Sequence, residues 1–549
     1  MSDVSVDLFV KPRIGLIGRA AFPLTLALVA AMLLALVLAI LRINNGVFLY
    51  TMDDPYIGLA FSDQIRHGNY GMNPGVSAAP DSSILYPLLI APASGTALHP
   101  ILPLILNTLA LFATLVIIWR FFQHLRLAAD TFGMVSQAAA LLLLAVCLNM
   151  IGVVFTGLEH SLHIMTVAAT VYGMALLLDK GKLPAWLPAV IVLAPLLRYE
   201  GLALSLAALL VLALRGRWRI ALGSIALLVL FVGGFSAFLV HLGLPPLPSS
   251  VLTKSDVAAD GVNGAGASFI HSFVQNLSDM KDLPMGALLL VIGMAAAARC
   301  LLELPTRPRR WSSQALMALL LTCLIGAHAA AGKFGWMDRY EDYCMVGTAL
   351  IGIYLLQSSI RDILSKKKLR LIVCCATAVT LYLFCAPYVL STWQVPLAAN
   401  NIYEQQYQMH RFVNDFYRAP VAVNDLGLVS YHNPNFVLDL GGLASEKARI
   451  LRANDDTCAE QYHAFVAESG AHLVIIYDEW FENQIPAGWI KVASMDLSRE
   501  RISSAEAEVQ FYTTDNLTAN TLQPELQAFR KSLPPRVKLT IYGRDAEAN

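Results

Sequence analysis

The 549 residues carry 39 Lys and Arg against 39 Asp and Glu, a formal net charge of +0, so no overall field attracts nucleic acid. Only 14% of residues are charged and 56% are hydrophobic, where a soluble domain is about a quarter charged. With a mean hydropathy of +0.58, these values exclude an ordinary soluble enzyme and define a membrane protein.

About 20 apolar residues suffice to cross a bilayer, and the chain offers roughly eleven such stretches. They lie near 20–42, 99–121, 133–154, 160–178, 184–197, 201–214, 219–242, 284–301, 314–331, 343–358 and 370–391. The first is too long for the core of a cleavable signal and reads as an anchor. One set of loops carries Lys11, Arg13 and Arg19, then Arg120 and Arg126, Lys180 and Lys182, and Arg215, Arg217 and Arg219. It continues with Arg307, Arg309 and Arg310, then Lys366, Lys367, Lys368 and Arg370. The alternate loops are poor in Lys and Arg. The positive-inside rule then predicts a cytoplasmic N-terminus, and an odd span count puts the C-terminus outside. Seven of the eight cysteines fall in or beside apolar segments and only Cys458 lies in the polar C-terminal part, so no disulfide framework is implied there.

The first outer loop opens with DDPYIGLAFSDQIRHGNYGMNPG at 53–75. Asp54 followed by Pro55 has the chemistry of a helix start, and Gly68 that of a helix stop. Tyr56, Ile57, Ala60, Phe61 and Ile65 share one face, which predicts a short amphipathic helix along the membrane surface. Residues 83–93 suggest a second. With Asp54 spent on capping, Asp53 is left to point into whatever the outer loops enclose, where it can accept a hydroxyl proton or bind a cation.

Further along, FTGLEHSLH at 155–163 places Glu159 and His160 at a helix start, where an acid suits the helix dipole. RYEG at 198–201 sets Arg198 and Glu200 between two short spans, as a mutual ion pair or as an anion site braced by an acid. LGLPPLPSSVLTKSD at 242–256 offers Lys254, and GKFGWMDRYEDY at 332–343 offers Lys333, Trp336, Arg339 and Tyr340. Singly, each reads as an interface anchor or a cap. Together, basic groups that suit a phosphate and carboxylates that can take a proton collect on one face. From about residue 393 the composition turns soluble. EQQYQMHRFVNDFYR and AEQYHAFVAESG read as helices; VAVND, FVLDL, HLVIIYD and VKLTIYG read as strands. That alternation predicts a small α/β domain over 393–549 after a membrane domain over 1–392. Its Asp425, Asp439 and Asp478 fall at strand ends, where acids commonly serve as caps and turn residues.

As a set, these stretches resemble the polytopic GT-C-fold glycosyltransferases, closest to the bacterial arabinofuranosyltransferase-like and mannosyltransferase-like members. The resemblance rests on the DDPYI…NPG loop, TGLEH, RYEG, GLPPLPSSVLTK, KFGWMDRY and the VAVND…VLDLGGL segment, in family order over roughly 50–445. It implies a polyprenyl-phosphate sugar donor used on the outer face of a bacterial inner membrane. It implies inverting transfer to a hydroxyl of a glycan, lipid or protein, with Asp53 as general base and Asp54 beside it. Arg198 and Arg339 would hold donor phosphate, joined by Lys254, Lys333, Glu159, His160, Glu200 and Tyr340 as substrate-binding residues. The chain departs from the pattern at His160, where Thr is common, at Tyr199, where Pro is common, and at Ser249–Ser250, where Asn–Thr is usual. No cluster has metal-ligand spacing, though the two acids leave room for Mg or Ca near Asp53. The rival readings are a polyprenyl-linked glycan polymerase or ligase and a lipid-linked sugar flippase. A transporter should carry mid-span charges and internal repeats, and neither is evident.

Overall fold

The computed structural model describes residues 15–127, 130–254, 266–303, 311–366, 369–453 and 458–543. Lys11, Arg13, Arg307, Arg309, Arg310, Lys367 and Lys368 lie outside them, as does the side chain of Lys254.

Among the described residues, seven helices are long and apolar enough to cross a membrane: Leu16–Ile43, His99–His124, Thr131–Thr156, His160–Lys180, Trp218–His241, Pro284–Leu302 and Ser313–Ala331. Two bent pairs raise the candidates to nine among the described residues. Asp342–Leu355 meets Gln357–Ser365 at 66°, and Arg370–Phe384 meets Ala386–Tyr417 at 64°. This corrects the expected eleven. Leu187–Leu197 and Gly201–Leu214 hold 11 and 14 residues, about 16 and 21 Å at 1.5 Å per residue, against a hydrocarbon core of about 30 Å. They pack on one another, with Ser205 Oγ donating to the Ile191 carbonyl at 2.7 Å.

The first-loop helix does not keep the one wet face expected of it. Helix Asp54–Arg66 forms as expected and ends with Gly68 in the left-handed region, but Pro55 through Ser62 are all buried. The second expected helix is a short one, Tyr86–Ile90, followed by a 3-10 turn at Ala91–Ala93.

The C-terminal part is a six-stranded mixed sheet in the order β2-β1-β3-β5-β4-β6. The strands are β1 (Val421–Val423), β2 (Val437–Asp439), β3 (Leu473–Ile476), β4 (Ile490–Asp496), β5 (Glu508–Thr513) and β6 (Lys538–Ile541). Central β1 runs parallel to both β2 and β3, and the remaining pairs are antiparallel. Chain order therefore reverses beside β1, and the carboxyl end of such a reversal is where open α/β sheets meet their ligands. Here that end meets the first loop. One sheet face shares a hydrophobic core with Tyr56, Leu59 and Phe61 of helix Asp54–Arg66. Asn73, from the NPG turn, bonds Val437 on edge strand β2 as a neighbouring strand would: Nδ2 donates to its carbonyl at 2.9 Å and Oδ1 accepts from its N–H at 3.0 Å.

Candidate functional site

The two adjacent carboxylates point to different places, which reverses the expected division of labour. Asp53 turns to the C-terminal domain. Its Oδ2 accepts from Gly427 N at 2.6 Å and its Oδ1 from Leu428 N at 2.8 Å, capping the short helix Gly427–Ser430 that follows β1. A Cβ on Gly427 would sit 2.2 Å from the Asp53 carbonyl, so only glycine permits this approach. Burial, with Asp425 beside it, pushes the Asp53 carboxyl well above the usual range, while the two N–H donors pull the other way. Asp425 is raised by its own burial, against the bonds it accepts from Gln406 and Tyr477.

Asp54 does not spend its side chain on capping. It lines a cavity of about 320 Å³, and its Oδ2 accepts from Arg339 Nη2 at 2.6 Å. Arg339 is 2% exposed, also donates to Tyr340 Oη at 2.8 Å, and lies over the Tyr340 ring at 4.7 Å. In the same cavity Arg198 spans two acids, with Nη1 at 2.7 Å from Glu159 and Nη2 at 2.5 Å from Glu200. Burial works against the Arg198 charge, but the two carboxylates hold its pKa above the ordinary value, and the guanidinium holds Glu200 down at about 2. Glu159 stands at the N-cap of helix His160–Lys180, but its side chain makes no capping hydrogen bond. The turn that delivers it depends on Gly157, at φ +68°, where a Cβ would lie 2.7–2.8 Å from Tyr50 and Pro55.

Of the residues expected from sequence, Asp54, Glu159, His160, Arg198, Glu200, Lys333, Arg339 and Tyr340 all line this one cavity. Lys333 is exposed, and among the described residues no carboxylate lies within ion-pair distance of it. Sequence reasoning did not single out Asp81, Ser82, Tyr343 and Leu443, which line it too, as does Ser250, noted there only as a departure from the family pattern. Asp81 reads as a turn residue, and its Oδ1 does accept from Ser83 N at 2.8 Å. Leu443 belongs to the loop after β2, which Asp439 gathers by accepting from Gly441 N and Ala444 N.

Among the described residues no group of three or more His, Cys, Asp or Glu is placed to hold a metal ion. A cation beside Asp53 would compete with two backbone donors already on its oxygens, so the residues there do not fit one.

Arg339 is set by an unusual turn. Trp336, Met337 and Asp338 all have positive φ, at 51°, 64° and 51°, and side chains cost roughly 1–2 kcal/mol each in that region. Asn149 Nδ2 holds the Met337 carbonyl at 2.7 Å, Ser391 Oγ donates to Asp338 at 2.5 Å, and Glu341 accepts from Gly335 N at 3.2 Å and Tyr388 Oη at 3.0 Å. Burial, with Asp338 nearby, pushes the Glu341 carboxyl up to about 8. The folded chain therefore keeps a proton that the unfolded chain releases. This group's contribution to stability is full below the unfolded pKa and is lost as pH rises through about 8. Glu341→Gln, which mimics the protonated form, is expected to flatten the fall in Tm with rising pH across that window. An unchanged slope would locate the pH dependence elsewhere.

The family profile of a domain of unknown function (DUF8728) matches residues 400–512, the start of the C-terminal part. None of the curated proteins matches the sequence. Among solved structures, the chain is similar to an archaeal oligosaccharyltransferase, AglB from Archaeoglobus fulgidus, in complex with an inhibitory peptide and a dolichol-phosphate. The identity is 15%, with 89% of this chain and 74% of that one covered, at a TM-score of 0.40. The Archaeoglobus fulgidus oligosaccharyltransferase in complex with Zn and sulfate gives 13%, 92% and 74% at 0.43. The same enzyme in the apo form gives 13%, 85% and 73% at 0.42.

Proposed function

We propose that this chain is a GT-C-type glycosyltransferase that moves a sugar from a polyprenyl-phosphate donor to an acceptor hydroxyl on the periplasmic face of a bacterial inner membrane. The observation that carries the reading is the meeting, in one cavity, of three cations, Arg198, Lys333 and Arg339, with four carboxylates, Asp54, Asp81, Glu159 and Glu200, of which Asp54 pairs with Arg339. The sequence resemblance of the same loops to that family supports it.

In the proposed reaction the acceptor oxygen attacks the anomeric carbon from the face opposite the phosphate. The bond from that carbon to the phosphate oxygen breaks, and polyprenyl phosphate departs with the electron pair. The acceptor proton passes to Asp54. The phosphate gains a negative charge as it leaves, so fixed cations stabilise the transition state more than the ground state. Arg198 and Arg339 are already bridged to carboxylates and serve as a rigid, oriented wall. Lys333 is the cation with spare capacity, so it takes the first contact with the phosphate.

The test is release of polyprenyl phosphate by the full-length wild type in vesicles, across a panel of polyprenyl-phosphate sugars. Turnover of one of them supports the reading, and turnover of none sinks it. With an active donor in hand, Lys333→Met is expected to raise the donor KM by roughly ten- to a hundredfold, the weight of a hydrogen bond to a charged group. A donor KM that stays put would remove Lys333 from the phosphate site.

A further inference from the structure

The cavity lies at the Glu159 end of helix His160–Lys180. The other end of that helix has a separate organisation. Asp179 there accepts from Tyr354 Oη at 2.6 Å and lies 2.8 Å from Nε2 of His124, the last residue of the span candidate His99–His124. Arg370 Nη1 lies 2.7 Å from Asp130, which caps the start of the candidate Thr131–Thr156. Tyr354 and Arg370 bracket the helix Gln357–Ser365, so both ends of this helix are tied to the level at which three span candidates terminate. It turns 66° from the preceding helix Asp342–Leu355. It therefore runs closer to the plane of those span ends than to the direction of the spans.

The sequence from 356 to 370, LQSSIRDILSKKKLR, holds five basic residues against one acid, Asp362. Leu356, Ile360, Ile363 and Leu364 share one helical face, and Arg361 and Lys366 stand to either side of it. None of the nine residues of the helix is buried, and Leu356, just before it, is 58% exposed. The basic heads make only local contacts. Arg361 Nη2 donates to Gln357 Oε1 at 3.3 Å, and Lys366 Nζ to Asp362 at 2.6 Å, all on the exposed surface. Helix Arg370–Phe384, which follows, also buries nothing and leaves Leu371 and Ile372 exposed. An apolar stripe flanked by basic residues suits the boundary between headgroups and acyl chains. There the long Lys and Arg stems cover apolar surface while their charges reach the headgroups.

We infer that helix Gln357–Ser365 is a docking surface for anionic lipid headgroups in the leaflet where these span candidates end. Continuity selects a bilayer as the occupant. The helix is fastened to span termini at both ends and leads into a helix with an exposed apolar surface, so lipid meets it wherever the spans are inserted. Charge selects the kind of lipid. The surplus is of one sign, and basic residues beside a membrane surface are drawn to anionic headgroups and indifferent to zwitterionic ones. The one acid, Asp362, is occupied by Lys366, which leaves Arg361 and the lysines after Ser365 to face the headgroups.

The test is hydrogen exchange over residues 357–366 of the full-length protein, in nanodiscs of phosphatidylcholine and in discs of an equimolar mixture with phosphatidylglycerol. Exchange is expected to be about tenfold slower in the anionic discs. The difference should fade at about 1 M salt, where the Debye length falls to about 3 Å. Arg361→Gln combined with Lys366→Gln should remove most of it with Tm unchanged, since both side chains bond only within their own exposed turns. Arg361→Lys combined with Lys366→Arg keeps the charges and should keep the difference. Equal exchange in the two lipids overturns the inference, as does a difference that survives the double Gln variant. Protection in neutral discs that grows with protein concentration would also overturn it and make a second copy of the chain the occupant.

Discussion

Asp54→Asn is expected to lower kcat by about 10²–10⁴-fold, the usual weight of a general base, while the donor KM changes little. The carboxylate lies in the cavity wall, and its amide replacement keeps an oxygen for Arg339 Nη2, so the 2.6 Å contact survives as a hydrogen bond. What disappears is the negative charge and the basicity. Because Arg339 is buried and loses its counter-charge, some destabilisation is expected alongside, of the order of 3–5 kcal/mol if nothing compensates. Two readouts separate the effects. A melting curve reports the loss of the pair, and added formate, a small base able to enter a cavity, should restore part of the rate if proton removal is what was lost. Full activity in Asp54→Asn would send the base elsewhere, with Asp53 and Glu159 next in line.

Asp53→Ala is expected to be nearly as damaging by a different route. It strips both acceptors from Gly427 N and Leu428 N, and an abandoned buried donor costs about 1–3 kcal/mol. Those two bonds tie the first loop to the C-terminal domain. Their loss should speed hydrogen exchange at Gly427 and Leu428, expose the C-terminal domain to protease, and lower transfer because the cavity loses the Leu443 side of its wall. Asp53→Asn keeps one acceptor and should fall between this variant and wild type. If instead Asp53→Asn abolishes transfer with exchange at Gly427 and Leu428 unchanged, Asp53 rather than Asp54 is the base.

The contrast between these neighbours shows where sequence reasoning stops. Both acids stand in the DDP motif, and both were candidates for the proton-accepting role. Which of them faces the cavity depends on Gly427, more than 370 positions away in the chain, and on the Arg339 turn. Neither is visible from local spacing. Hydropathy marked each of the seven span-length helices among the described residues, because burying or lipid-facing apolar surface needs apolar residues in number. It overcounted spans at 184–197 and 201–214, because composition reports apolarity but not whether a helix continues far enough to cross. In the C-terminal domain β1, β2, β3 and β6 were legible as short apolar runs. β4 and β5 were not, since Ser494, Gln510 and Thr513 are buried polar residues that interrupt the pattern. Asp81 and Leu443 were hidden for a related reason. Each sits in a loop whose sequence specifies the loop, while its place at the cavity comes from tertiary bonds such as Ser249 to Ala79 and Thr253 to Gly442.

The left-handed run Trp336–Asp338 carries a consequence for how the protein is made. Three consecutive non-glycine residues do not hold that conformation by themselves, and the groups that hold it come from distant parts of the chain: Asn149 from the third span candidate, Ser391 and Tyr388 from the last bent pair. Synthesis reaches Ser391 after every other candidate span has emerged. The guanidinium of Arg339 can be seated only then, so a chain halted before its final helix holds no assembled cavity, and the site stays silent until insertion into the membrane is complete.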